Sequence, residues 1–399
     1  MFVEAVPAAN MSWPRNVGTD GLHAAQRLGL TSIVATANRE AYGATLDGLV
    51  DSWQECDTTS ATAVADAARD ARADVVFSWI DAFVPVASAV AASLGAPAAN
   101  PGSQAVLRDK SAVRRQLDAS GVRNARWAVI DLREGVADSP IGYPAVIKPV
   151  DGTGSKDVML VTDRTAFQAA CAAHLSRAGY GHQVVPAYRM VCEELLVGDL
   201  VSVEGIVLDG AADIWGYTDR GHTGPPAYVE TSFAFAAEPF HPALEEYAKQ
   251  VAKALDYRTG CFHLEAIITA DGPALVEFNS RIASGIYRCI DLATGGSCLE
   301  AMLRAQVGER QKLPAAVGAA CRIYLEAAAS GELRGVAGAD AARAMPGVAD
   351  VLVKTKATLA PGDADRRVAY VQATGASRAQ ARDRASAAIA MLTTELMDE

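Results

Sequence analysis

The sequence predicts an α/β fold of several lobes, and three observations carry that expectation. Residues 1 to about 108 alternate short apolar runs with alanine-rich amphipathic stretches. Between residues 143 and 207 the pattern turns strand-rich around a single helix. Beyond about residue 310 a smaller α/β unit follows. At 399 residues the chain is long enough for two or three domains with a well-buried core.

In the first stretch, residues 32–35 and 74–80 read as strands, and 21–28, 61–72 and 84–94 carry helical spacing. Strand and helix taking turns imply a parallel sheet with helices on its faces. The loop Ala98-Ala99-Asn100-Pro101-Gly102 then gives a first domain of residues 1–108. A helix over 109–119 opens the second domain, with Asp109 as its N-cap and Gly121 as its stop. Residues 164–177 supply the helix of the strand-rich part, a small lobe of about 122–195. Residues 209–240, with Gly-His-Thr-Gly-Pro-Pro, read as an irregular, substrate-facing stretch, and 242–255 as a helix. The second domain ends near 309. The C-terminal domain, 310–399, holds apolar runs at 319–326, 351–354 and 367–371 and a final helix over 377–397.

Half the residues are hydrophobic and 21% are charged, the balance of an ordinary soluble globular protein. A net charge of −11 argues against nucleic acid or an anionic membrane as the main partner. Seven cysteines show no Cys-x-x-Cys spacing, so reduced thiols in a cytoplasmic protein are expected. The first thirteen residues lack a basic stretch followed by an apolar run, and no apolar run approaches the roughly 20 residues needed to span a bilayer.

The most informative local feature is acidic. Glu265 and Glu277 sit on two short apolar segments joined by Ala270-Asp271-Gly272, which reads as a hairpin loop. A three-residue loop sets the two glutamates directly opposite each other, with Asn279 and Arg281 on the same face. A two-residue loop, Asp271-Gly272, places them on opposite faces instead. Like charges facing across a ladder destabilise it, and a partly buried carboxylate without a partner is costly. A bound cation resolves both, and carboxylate plus amide oxygens suit magnesium.

Other motifs point to phosphate. The strand Tyr143-Pro-Ala-Val-Ile-Lys148-Pro149 runs into Asp151-Gly-Thr-Gly-Ser155-Lys156-Asp157, whose backbone N–H groups can face phosphate oxygens between Lys148 and Lys156. The loop matches neither the P-loop nor the Rossmann signature. Lys110 opens a helix. Cys192-Glu193-Glu194-Leu195 ends a strand, and such a link between lobes can offer backbone groups to an adenine edge. His263 shares strand parity with Glu265, and His222 is a further substrate-contact candidate. His174, His182 and His241 read as structural or exposed.

Taken in order, these pieces resemble the ATP-grasp superfamily: lysine at a helix start, strand-Lys-Pro, glycine loop, Glu-Glu-Leu-x-x-Gly, then Glu…Glu-x-Asn-x-Arg. Within it the chain looks most like the carboxylate–amine ligases that include bacterial L-amino-acid ligases, or dipeptide synthetases. The resemblance spans nearly all of the chain and implies an ATP-grasp fold with a preATP-grasp α/β domain and a C-terminal α/β extension. It implies ATP held by Lys110 and Lys148 under a loop carrying Ser155 and Lys156, with Glu193, Glu194 and Leu195 as the adenine hinge. Glu265, Glu277 and Asn279 would ligate Mg2+, or Mn2+, and Arg281 would stabilise an acyl-phosphate. Val229-Glu230-Thr231-Ser232 resembles the substrate segment, where Glu230 would meet an amino group.

The implied reaction joins a small-molecule carboxylate to an amine with release of ADP and phosphate, and a homodimer is compatible with it. Two positions depart from the pattern. Leu200 stands where many relatives carry a ribose-binding acid, leaving Asp199 beside it, and Phe233 stands where some dipeptide ligases carry histidine. Activation of formate or bicarbonate is the alternative within the same fold. A catalytically silent nucleotide-binding protein is the alternative outside that chemistry.

Overall fold

The computed structural model describes residues 1–6, 10–96, 100–155, 157–180, 184–224, 228–360 and 365–397. Its N-terminal part holds β1 (Phe2–Val3), α1 (Val17–Arg27), β2 (Ile33–Thr36), β3 (Ser52–Glu55), α2 (Ala61–Asp70) and α3 (Val84–Ser93). The three strands pair in parallel in the order β1-β2-β3. The strand expected over 74–80 shrinks to one bridge, Phe2 with Phe77. Side chains there replace the ladder: Ser78 Oγ donates to the Val3 carbonyl at 2.8 Å, and Trp79 Nε1 donates to that of Ala5. Helix α1 starts four residues ahead of expectation because Asn16 and Thr19 form a reciprocal capping box.

Two helices, α4 (Pro101–Arg108) and α5 (Lys110–Ala119), lead to the small lobe. Asp109 caps α5 as expected, accepting from Ser111 N at 2.8 Å. The lobe is β4 (Trp127–Asp131), β5 (Ala145–Pro149), β6 (Met159–Val161), α6 (Arg164–Leu175) and β7 (Arg189–Glu194), an antiparallel sheet in the order β4-β7-β5-β6. Ile130, Ile147, Phe167 and Met190 form its core.

The chain then enters β8 (Asp199–Leu208), β9 (Ala211–His222), β10 (Glu230–Ala236), α7 (Leu244–Ala254), β11 (Gly260–Thr269), β12 (Gly272–Asn279), α8 (Tyr287–Thr294) and α9 (Cys298–Gln306). Gly198 at the crossing from β7 to β8 has φ +152, and a Cβ there would lie 2.0 Å from the Ile268 carbonyl, so only glycine fits. Within the stretch expected to be irregular, 209–240, β9 and β10 instead pair as antiparallel strands, bulged between Glu230 and Ser232, with Phe233 opposite Arg220, while Pro225 and Pro226 lie outside the described residues. The alternation was hidden by Gly216, where a Cβ would meet the Phe235 ring at 2.6 Å.

Last come β13 (Ala319–Glu326), β14 (Gly331–Ala337), α10 (Ala339–Arg343), β15 (Val348–Val353), β16 (Thr358–Leu359), β17 (Arg367–Gly375), α11 (Arg378–Ile389) and β18 (Thr393–Met397). The expected final helix thus stops at Ile389, and the threonine-rich end pairs with β14 instead. One antiparallel sheet, ordered β12-β11-β8-β9-β10-β13-β17-β15, runs across residue 310 without a break. Val113 and Leu117 of α5 pack with α7 against Val203, Leu264 and Phe278, while Ile286 and Leu299 join α8 and α9 to the N-terminal sheet. Among the described residues no helix is long and apolar enough to cross a membrane, and all seven cysteines are free thiols.

Candidate active site

The hairpin β11–β12 sets the two glutamates face to face, Glu265 opposite Glu277, but not by the expected three-residue loop. The loop has two residues, since Thr269 pairs with Gly272. That register continues to Ala266 opposite Leu275, and a bulge at Val276 then advances it by one residue. Without the bulge Glu277 would turn to the other face. Asn279 lies opposite His263 on the same strand pair.

The bulge also releases a carbonyl. Val276 O accepts from Lys148 Nζ at 3.0 Å and from Arg114 Nη2 at 2.8 Å. Both cations meet Glu193, whose carboxylate lies 2.8 Å from Arg114 Nε and 2.8 Å from Lys148 Nζ. All three side chains are almost wholly buried, at 1%, 5% and 6% exposure. Burial works to raise the Glu193 carboxyl, yet Arg114 and Lys148 hold it at about 2. Lys148 is lowered from its ordinary value, chiefly by desolvation. The backbone of Glu193 belongs to β7, so its side chain ties that strand to α5, β5 and the acidic hairpin.

Each hairpin carboxylate has a cation beside it. Lys110 Nζ lies 2.7 Å from Glu277 Oε1 and donates to the Gly152 carbonyl at 2.9 Å, linking the helix start to the glycine loop. Glu265 Oε1 lies 2.9 Å from both Arg220 Nη1 and His263 Nε2. Arg220 reaches Glu230 Oε1 as well, at 2.6 Å, so a single guanidinium joins the expected metal and substrate glutamates. His263 is 3% exposed between Glu265 and Glu204, which lies 2.9 Å away. Burial opposes its charge, but Glu204 and Glu265 push its pKa up to about 9.

Arg281 meets the N-terminal part of the chain. Its Nε and Nη2 donate to the two oxygens of Asp81 at 2.6 and 2.8 Å, and Nη1 donates to the Ile282 carbonyl. Thr153 of the glycine loop donates to the same Asp81 carboxylate at 3.1 Å. Burial raises the Asp81 carboxyl, and Arg281 brings it below its ordinary value. Asp81, Arg108, Lys110, Gly152, Glu277 and Asn279 line one cleft between the lobes.

The remaining expected residues are less tied. Ser155 is exposed at φ +57, and Lys156 lies outside the described residues. Glu194 accepts from the Arg126 backbone at 2.8 Å, and Leu195 is half-buried at the lobe crossing. Asp199 is exposed at the start of β8, and His222 is exposed at the end of β9. Sequence reasoning missed Asp81, Arg114, Glu204 and Arg220. Arg114 had a signal, since it follows Lys110 by four on one helix face. Arg220 was concealed in the stretch read as irregular. Asp81 lies 200 residues from Arg281 in sequence and carries no local signal.

Among the described residues no three His, Cys, Asp or Glu side chains group to hold a metal ion. The hairpin offers a different set, two carboxylates and an amide, which as hard oxygen donors fit magnesium. The described contacts fall on Oε1 of each carboxylate.

Known proteins resemble the chain in domain content and in fold. Residues 141–290 match the ATP-grasp domain family, and residues 323–397 match L-amino acid ligase C-terminal domain 2. Over 188 residues, 45% of the chain, it is 26% identical to dapdiamide A synthase of Enterobacter agglomerans, and the match covers 44% of that protein. Over 247 residues, 55% of the chain, it is 27% identical to carnosine synthase 1 of Mus musculus, covering 29% of it. The chain thus spans less than half the length of both relatives. The crystal structure of an L-amino acid ligase from Bacillus licheniformis superposes with a TM-score of 0.81 at 16% identity, over 100% of this chain and 98% of that one. The expected ATP-grasp fold is borne out.

Proposed function

We propose that this chain, with its ATP-grasp domain and its L-amino acid ligase C-terminal domain, is an ATP-dependent carboxylate–amine ligase. It would activate a small-molecule carboxylate, that of an amino acid, as an acyl-phosphate and couple it to an amine, releasing ADP and phosphate. The observation that carries the reading is the bulged hairpin. One irregularity at Val276 both sets Glu277 opposite Glu265 and seats the two buried cations Lys148 and Arg114.

A carboxylate is a poor electrophile, so the residues must bring it to the γ-phosphoryl group of ATP and neutralise the charge that gathers there. Lys148, held by Glu193 and the Val276 carbonyl, and Lys110, at the start of α5, would take phosphate oxygens. Glu265, Glu277 and Asn279 would hold magnesium, or manganese, which would help neutralise the phosphate charge. Arg281, clamped by Asp81, would face the reacting carboxyl and its acyl-phosphate. Ser155, Lys156 and Thr153 lie on the loop that would cover the phosphates and exclude water from an intermediate that hydrolyses easily. Glu193, Glu194 and Leu195 would border the adenine, and Asp199, beside Leu200 in the chain, would be the acid left to meet the ribose. Glu230, with His263 and His222, would meet the substrate amino group. The L-amino acid ligase C-terminal domain favours this reading over activation of formate or bicarbonate. A cytoplasmic location, and a homodimer, accord with it.

The test is phosphate release over pairs of amino acids with mass spectrometry of the products. ADP and an amide are expected together, and Glu277→Ala should abolish both. ATP binding without ADP release for any pair would reject the reading.

A further inference from the structure

We infer that Arg108 holds the γ-phosphoryl group of ATP as it passes to the substrate carboxylate, and so is a further catalytic cation of the cleft; the inference rests on the ligase reading above. Arg108 is the last residue of α4, two residues before Lys110. It lines the cleft between the lobes together with Asp81, Lys110, Gly152, Glu277 and Asn279. It is half-buried there, and its guanidinium makes no hydrogen bond or ion pair among the described residues.

Among those residues the other cations of the site are already engaged. Lys110 lies 2.7 Å from Glu277, Lys148 and Arg114 share Glu193, and Arg220 joins Glu230 to Glu265. Arg281 is clamped by both oxygens of Asp81. Arg108 lies near that same carboxylate: burial raises the Asp81 carboxyl, and Arg281 and then Arg108 lower it. One carboxylate thus serves two guanidinium groups, which leaves a positive charge over at Arg108. A guanidinium presents its donors in a planar fork that fits two oxygens of a phosphoryl group.

Asp81 marks where that group belongs. It accepts from Arg281, which would face the reacting carboxyl, and at 3.1 Å from Thr153 of the loop that would cover the phosphates. A cation beside Asp81 therefore stands between the two reacting groups. Lys110 approaches the same loop, donating to the Gly152 carbonyl at 2.9 Å. During transfer the charge spreads over three equatorial phosphoryl oxygens, and a cation fixed there serves the bound γ-phosphate and the transition state alike. A structural role is the alternative, because a basic residue in the last turn of a helix is favoured by the helix dipole. That role predicts no dependence on the γ-phosphate.

The experiment compares, by calorimetry with magnesium, the binding of ADP and of an ATP analogue whose β and γ phosphorus atoms are joined by a methylene group. Arg108→Met should weaken the analogue roughly tenfold or more and leave ADP within about twofold, which also shows that the variant is folded. ADP release with a carboxylate and an amine should fall about a hundredfold or more, with KM for the carboxylate little changed. Arg108→Lys should recover part of both losses. Arg108→Gln takes the place of the Met variant if that protein does not fold. An unchanged affinity for the analogue, an equal weakening of analogue and ADP, or a rise confined to the KM of the carboxylate overturns the assignment. An unaltered protein that binds neither nucleotide overturns the assignment and the ligase reading together. If the analogue is discriminated as expected while no pair yields amide, the ligase reading alone falls.

Discussion

At Glu193 two cations converge on a carboxylate that burial alone would neutralise. Replacing it with glutamine leaves Lys148 and Arg114 in the interior without their counter-ion, and a loss of roughly 3 kcal/mol in urea unfolding is expected. The pH dependence follows from the same pair. The folded carboxyl sits near 2 against an ordinary 4.5, so it contributes stability above pH 4.5 and loses it as pH falls through 2. The contribution is about 3 kcal/mol, and Glu193→Gln should flatten that acid limb in unfolding curves taken between pH 6 and pH 3. Asp81 acts on Arg281 in a different way, by orientation. Asp81→Asn keeps the size of the clamp but removes its charge, and in the proposed reaction a fall of about tenfold or more in kcat, with KM for ATP little changed, is expected. Unchanged turnover would remove Asp81 from the mechanism.

On the scale of the hairpin, the bulge at Val276 makes a clean test possible. Deleting Val276 leaves Glu265 opposite Glu277, because the extra residue is the one removed. It takes away only the carbonyl that receives Lys148 and Arg114. A strand pair that survives by circular dichroism, a stability loss of roughly 3 kcal/mol and weaker nucleotide binding by calorimetry are the expected results. The same hairpin shows what the sequence can and cannot tell. Strand type, the pairing of the glutamates and the Asp109 cap were legible, since each rests on period, propensity or a local hydrogen bond. The route to that pairing was not, because a two-residue loop plus a bulge and a three-residue loop give the same facing residues. The regularity of β9 and β10 was masked by Gly216 and Gly221, and the capping box at Asn16 ends in threonine rather than the more familiar glutamate.

For the molecule as a whole, a continuous antiparallel sheet from β12 to β15 links the acidic hairpin to the C-terminal strands, and α8 and α9 fasten the N-terminal domain beside it. Contacts of that reach, such as Arg281 with Asp81 or Phe233 with Arg322, join residues far apart in sequence and could not be read from any local pattern. They also imply that ligand binding is felt globally. ATP with magnesium at about a hundred times its dissociation constant should stabilise the fold by about 2.7 kcal/mol, seen as a rise in the thermal midpoint that Glu277→Ala removes.

The pairing of Lys110 with Glu277 has a further consequence. In the resting cleft these two charges cancel each other, so the site behaves as an ion exchanger rather than as a vacant acidic or basic pocket. In the proposed reaction phosphate would draw Lys110 away and leave Glu277 as a bare anion, whereas a divalent cation on Glu277 would leave Lys110 seeking an anion. Neither ion satisfies the cleft alone; together they give each resident charge a new partner. Magnesium and nucleotide are therefore expected to bind as a mutually dependent pair, with a coupling of about 1–3 kcal/mol that is the same whichever is titrated first. Substituting Lys110 with methionine should raise the affinity for the cation alone and abolish that reciprocity.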